Sequence, residues 1–238
     1  MELWYILLVD GVFHRTWIEI QQMTCLPPPS KEVLEKAAKE HAVSDHILNY
    51  SNLIPIKRHG NIIPIQGDVT SRDSLLSIVS IIGSQTGYIN LLVNNSGVFG
   101  PNVKLPPTTS DIKELQNILW EVTPQAFQDT FEVNVTAVYY TTVAFLALLD
   151  KGNKHGGIPG VTSQVVTVSS IAGFRRDGAV TGIAYHTSKA AVTHLGKVLA
   201  NLLKDWNIRS NIIAPGIYPS GPFNYLYFLY RLDNSQIP

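Results

Sequence analysis

Four short apolar runs recur along this chain with helix-forming stretches between them: NIIPIQ (61–66), INLLVN (89–94), QVVTV (164–168) and NIRSNIIA (207–214). Nearly unbroken β-branched and leucine runs suit strands covered on both faces, because a strand with one wet face alternates apolar and polar residues. The segments between them read as helices. KEVLEKAAKEH (31–41) is rich in helix formers behind Ser30 as N-cap, and SRDSLLSIVSII (71–82) follows Thr70 or Ser71 as cap. PQAFQDTFEVNVTAVYYTTVAFLALLD (124–150) opens with Pro124, which suits a first helical turn. From Ala190 onward, Ala191, Val192, Leu195, Val198, Leu199, Leu202 and Trp206 recur at three- and four-residue steps. Strands alternating with helices predict an α/β fold on a parallel, doubly wound sheet. With 238 residues and 45% hydrophobic content, the chain has apolar material for one such domain.

Charge and cysteine usage narrow the partners. Eighteen basic residues balance eighteen acidic ones without a long run of like charge, so nothing recommends nucleic acid, and a small neutral ligand is the expectation. Cys25 is the only cysteine, which excludes an internal disulfide and an all-cysteine metal site and suits the reducing cytoplasm. The run LWYILLV near the start is seven residues long, too short to cross a bilayer. It also lacks a positive flank and a small-residue cleavage site, so it reads as a buried strand and no membrane partner is expected. FNYLYFLY (223–230) fits either a strand or a short buried helix.

In doubly wound sheets the ligand lies beyond the carboxyl ends of the strands, where strand order reverses. The strand exits here read Gly67-Asp68-Val69, Asn94-Asn95-Ser96-Gly97, Ser169-Ser170 and Pro215-Gly216-Ile217. Near residue 185 the chain reads AYHTSKAA, with Tyr185 and Lys189 four positions apart. Residues so spaced share a helical face, which would bring the Lys189 ammonium near the Tyr185 phenol. A cation there favours phenolate and lowers the phenol pKa, and such a group can exchange a proton with an alcohol or carbonyl. His155, His186 and His194 form no metal-ligand spacing and read as surface or packing residues, so no metal site is expected.

Taken together, LLVNNSGVFG, FEVNV, VTVSSIAG, AYHTSK and IAPG resemble, in this order, the motif series of the short-chain dehydrogenase/reductase family. The resemblance runs from about residue 31 to 220, and the wording around the motifs is similar to fungal 3-oxoacyl-thioester reductases. It implies a Rossmann-like single domain and an NAD(P)-dependent oxidoreductase that reduces a carbonyl or oxidises a secondary alcohol. On the matching positions, Tyr185 would be the proton donor and acceptor, with Lys189 lowering its pKa and holding the nicotinamide ribose. Ser170 would hydrogen-bond the substrate oxygen, and Asn134 would hold a water in a proton relay. Asp68 and Val69 would flank the adenine, Asn94, Asn95, Ser96 and Gly97 would pack along the ribose, and Pro215, Gly216 and Ile217 would border the nicotinamide. By resemblance the cofactor is NADP, with NAD as the alternative, and the assembly is a homodimer or homotetramer.

The chain also departs from that pattern. Ser96 replaces the usual alanine, and fifteen positions separate Ser170 from Tyr185, about two more than the family spacing. The extra pair falls in FRRDGAVTG, a loop able to absorb it, so Ser170 is retained and Ser169 is read as a strand-end hydroxyl. The Thr-Gly-x-x-x-Gly-x-Gly turn expected after the first strand is missing. VFHRTWIEIQQM follows LWYILLVDG, and Gly11 is the only glycine before Gly60. TCLPPPS then stands where a second strand belongs, and three consecutive prolines cannot donate ladder hydrogen bonds there. LWYILLV is the candidate for the central strand slot. The organisation expected is an atypical segment over 1–30, the Rossmann domain over 31–220 and an atypical tail over 221–238, so the fold is incomplete at both ends against the family pattern. The second reading is an inactive or truncated relative that keeps the scaffold without the dinucleotide.

Overall fold

The computed structural model describes residues 4–9, 17–22, 62–101, 103, 111–155, 160–176 and 182–216. Six strands, β1 (Trp4–Val9), β2 (Trp17–Gln22), β3 (Ile62–Gly67), β4 (Leu91–Asn94), β5 (Gln164–Val168) and β6 (Arg209–Ile213), form one sheet in the order β3-β1-β2-β4-β5-β6. β2, β4, β5 and β6 run parallel in sequence, while β1 pairs antiparallel with both β2 and β3. Five strands therefore point one way and β1 alone is reversed. β3 to β6 lie on the four predicted apolar runs. Pro64 is tolerated inside β3 because this strand ends the sheet order, where a missing N–H costs no ladder bond on the open side.

The centre of the sheet corrects the reading of the N-terminal segment. LWYILLV does not take the slot beside β4; WIEIQQ takes it, with Ile20 opposite Asn94, and β1 lies one place further out. The physical signal was an alternation of Ile18, Glu19, Ile20 and Gln21, the period of two that an unbroken apolar run lacks. Antiparallel neighbours can be joined by a short connection, whereas a parallel pair needs a crossover of a dozen residues or more. The hairpin thus fills two strand positions and leaves β3 and β4 both paired, removing the open apolar edges that invite association.

Helices α1 (Arg72–Gln85), α2 (Ile112–Trp120), α3 (Pro124–Phe131), α4 (Ala137–Lys154) and α5 (Ile183–Leu202) complete the described elements, with short 3₁₀ turns at Ile171–Gly173 and Lys204–Trp206. Caps mark their starts: Ser71 Oγ accepts from Ser74 N at 3.3 Å, Asp111 Oδ1 from Lys113 N at 2.8 Å, and Thr123 Oγ1 from Ala126 N at 3.2 Å. The helix predicted over 124–150 is interrupted by a π-helical turn at Glu132–Thr136, and α2 was not predicted at all. The helix expected over 31–41, Cys25, Ile217 and the 221–238 tail lie outside the described residues.

α1 packs on β3 and α4, α4 on β4 and β5, and α5 on β5 and β6. Between them Ile78, Ile82, Leu92, Phe145, Leu149, Val165 and Leu199 are buried in one cluster. Each such side chain contributes about 1.5–3 kcal/mol by leaving water. Pro124–Lys154 is long and apolar enough to cross a membrane by composition, and in the fold it is the helix that seals β4. Gly152 permits that seal, since a Cβ there would collide with the Ile89 carbonyl. The chain folds as a Rossmann-like α/β domain whose parallel strands deliver their exits to one edge.

Candidate active site

The strand exits at that edge are tied to one another by backbone bonds. Ser169 N donates to Ile213 O at 2.7 Å and Ile171 N to Pro215 O at 2.8 Å, so the turns after β5 and β6 are held together. The two serines after β5 then part company. Ser169 is 3% exposed and turns inward, donating to Lys189 O at 2.9 Å and lying 2.6 Å from Thr193 Oγ1. Ser170 caps the 3₁₀ turn, accepting from Ala172 N at 3.1 Å, and its hydroxyl lies near enough to the Tyr185 phenol to favour the phenolate. Gly173 lets that turn press on α5, because a Cβ would lie 2.8 Å from Ala190 N and from Lys189 C.

Tyr185 and Lys189 occupy adjacent turns of α5, with Lys189 Nζ 5.7 Å from the Tyr185 ring centroid. The ammonium is 4% exposed and donates to Val168 O at 2.9 Å. Burial disfavours its charge and lowers its pKa to about 8. The sequence argument expected Lys189 to pull the phenol down. Here the phenol stands above its ordinary value instead, because burial outweighs the opposing hydrogen bond with Ser170. The cation lies over the ring and spends one proton on a carbonyl.

Asn134 sits in the π turn, a geometry that recurs at functional sites because the extra residue re-aims side chains. At 1% exposure its amide clamps the Val98 peptide from both sides: Val98 N donates to Oδ1 at 2.8 Å and Nδ2 donates to Val98 O at 2.9 Å. Nδ2 also donates to Ser188 Oγ at 2.9 Å, and that hydroxyl donates to Tyr185 O at 2.8 Å. Asn134 therefore joins the turn after β4 to the helix of Tyr185. Gly97 lies in the same cluster, where a Cβ would approach Asn134 Oδ1 and Lys189 Nζ to 3.2 Å each. Ser170, Tyr185, Lys189, Asn134 and Gly97 are thus brought together.

The remaining candidates are spread along the edge. Asn94 is buried, donating to Thr142 Oγ1 at 3.0 Å, while its Oδ1 has no protein partner. Asn95 is half-buried and Ser96 buried. Asp68 is half-buried, and its Oδ1 is occupied by Thr70 N at 2.8 Å and Thr70 Oγ1 at 2.7 Å. Val69 is 2% exposed and packs in the core, so its side chain does not face the edge. Pro215 and Gly216 are exposed, and Gly216 has open space where a Cβ would point. His155 stacks on Tyr88 with ring centroids 4.6 Å apart, and among the described residues no group of His, Cys, Asp or Glu is placed to hold a metal. Sequence reasoning missed Phe99, whose ring lies 5.0 Å from that of Tyr185, and the linking hydroxyl of Ser188. Ser188 was within reach as the residue three after Tyr185, on the same helical face.

Comparisons with known proteins bear on the family and the fold. The family model for short chain dehydrogenases matches residues 35–223. The chain is 47% identical over 191 residues to the short-chain dehydrogenase/reductase PhomF of Diaporthe leptostromiformis, covering 80% of this chain and 59% of that protein. It is 38% identical over 202 residues to the short-chain dehydrogenase/reductase SAT3 of Stachybotrys chartarum, covering 80% and 68%. The crystal structure of NAD+-bound xylitol dehydrogenase superposes with a TM-score of 0.53 at 25% identity, over 71% of this chain and 56% of that one. The chain thus spans little more than half the length of PhomF. With the five motifs, the parallel sheet and the Ser170, Tyr185 and Lys189 cluster in place, the chain belongs to the short-chain dehydrogenase/reductase family.

Proposed function

We propose that the chain acts as an NAD(P)-dependent oxidoreductase that reduces a carbonyl or oxidises a secondary alcohol, with Tyr185 as its acid and base. The observation that carries this reading is the placement of Ser170 and Tyr185 beside a buried lysine, whose Nζ lies 5.7 Å from the phenol ring centroid, at the carboxyl edge of the sheet. A nicotinamide dinucleotide, when bound, supplies the hydride. Tyr185 gives its proton to the substrate oxygen as the carbonyl carbon is reduced, and Ser170 hydrogen-bonds that oxygen. The phenolate left behind is stabilised by the Lys189 ammonium, which is still charged below about pH 8. The raised phenol pKa keeps Tyr185 protonated through neutral pH, as a proton donor requires.

The nicotinamide and ribose end of the cofactor suits the residues present. Lys189 has two N–H groups beyond the one bound to Val168 O, Gly97 leaves a notch beside it, and Gly216 opens the exit of β6. Between Gly11 and Gly60 the sequence carries no glycine that would line the diphosphate. A second copy of the chain is the proposed partner: α4 exposes Tyr139, Tyr140 and Val143, and α5 exposes Ile183, Val198 and Leu202.

Titration of NADPH and of NADH into the purified chain, read by nicotinamide fluorescence, tests the reading and settles the preference between the two. Micromolar binding of one, with turnover across a panel of ketones that Tyr185→Phe abolishes, is the expected result. A folded protein that binds neither and reduces nothing overturns it.

A further inference from the structure

We propose that Phe99 is a positioning residue of the site, packing on the Tyr185 ring so that its hydroxyl is held toward Ser170. The proposal rests on the reading of Tyr185 as the acid and base. The two rings lie 5.0 Å between centroids at 47°, a tilted contact within the range that favours aromatic pairs. Contact alone would say little if Phe99 sat in a loose turn, but both of its neighbours are locked. On one side the Val98 peptide has its N–H and its C=O engaged by the Asn134 amide. On the other, Gly100 has φ +70°, and a Cβ there would collide with Thr130, itself 1% exposed and bonded through Oγ1 to Ala126 O at 3.0 Å. Only glycine adopts that left-handed conformation at so close an approach without strain.

Phe99 is thereby carried on a rigid strut between the π turn and α3. Asn134 also reaches Tyr185 from behind, through Ser188 Oγ and the Tyr185 carbonyl. One asparagine thus sets both the backbone of Tyr185 and the ring that leans on its side chain. Among the described residues, Ser170 acts on the phenol and Lys189 lies over its ring, while Phe99 gives an apolar contact.

The test uses Phe99→Ala and Phe99→Leu in the full chain. The first readout is the ultraviolet phenolate titration of Tyr185, isolated by subtracting the Tyr185→Phe spectrum in each background. Removing the ring admits water, so in Phe99→Ala the phenol should titrate at lower pH than in the parent. The second is steady-state reduction of a ketone, where kcat should fall roughly tenfold with the nucleotide KM unchanged. Phe99→Leu, which keeps apolar cover without the flat ring, should recover part of both. An unshifted titration in folded Phe99→Ala overturns the proposal, as does an unchanged kcat where turnover is measurable. A chain that reduces nothing defeats the acid–base reading and leaves the titration to judge Phe99. Should Phe99→Ala lose its fold, Phe99→Leu carries the same two readouts, and parent-like behaviour in both overturns the proposal.

Discussion

At 4% exposure with one carbonyl for a partner, the Lys189 ammonium is a cost that the folded state carries for its site. Its folded pKa of about 8 lies below the ordinary lysine value of 10.5, so the folded protein holds this proton less tightly than the unfolded chain does. The sign follows: the cost is complete below about pH 8 and fades as pH rises toward 10.5, where the unfolded chain also loses the proton. The shift corresponds to about 3 kcal/mol. Lys189→Met removes that cost but orphans the Val168 carbonyl, a loss of about 1 kcal/mol. A variant more stable than the parent by about 2 kcal/mol at pH 7 is therefore expected, with the gain shrinking by pH 9.5 in urea denaturation. Equal gains at the two pH values would sink the argument. For Tyr185, Tyr185→Phe should lower kcat roughly 10³-fold while nucleotide affinity stays near that of the parent. Because burial holds the phenol above its ordinary value, ketone reduction should be flat through neutral pH and fall in the alkaline range.

Elements meet at this site through glycines, and two of them give opposite expectations. Gly173→Ala sets a methyl against the α5 backbone at 2.8 Å, where neither the 3₁₀ turn nor the helix can yield cheaply. A loss of about 2 kcal/mol in chemical denaturation is expected, with Ser170 displaced from Tyr185 and activity reduced. Gly216→Ala meets nothing within 4 Å, so its stability should stay within about 0.5 kcal/mol of the parent. The same elements show how far the sequence could be read. β4, β5 and β6 announce themselves because both faces of a central strand are covered, leaving an apolar run. β2 carries its signal as a period-two alternation of Ile18, Glu19, Ile20 and Gln21 instead of an apolar run, and α2 carries none, because none of its residues is buried. The spacing of Tyr185 and Lys189 fixes a shared helical face, so their proximity was legible. The direction of the phenol shift was not, since it depends on cover from residues that approach only in the fold. The π turn is invisible to pattern reading for a related reason: one extra residue barely alters the spacing of apolar positions around Asn134.

At the scale of the whole molecule, the exposed Tyr139, Tyr140 and Val143 of α4 and Ile183, Val198 and Leu202 of α5 are apolar surface that a second copy would cover. Light scattering should report a dimer or tetramer, and joint substitution of Val143→Glu and Val198→Glu should give a monomer that keeps its far-ultraviolet spectrum. Persistence of the assembly in the double variant would place the interface elsewhere. The reversed strand has a consequence of another kind. In a sheet built only of parallel crossovers, no strand can pair with its successor until an intervening helix has been made, so the earliest contacts join distant parts of the chain. β1 and β2 are joined by only seven residues. Such a hairpin closes on a timescale of about 1–10 μs and needs nothing that follows it. It presents one edge that β3 joins and another that β4 joins. The order of assembly would then run outward from a local ribbon, and the slow steps would be the arrivals at its two sides.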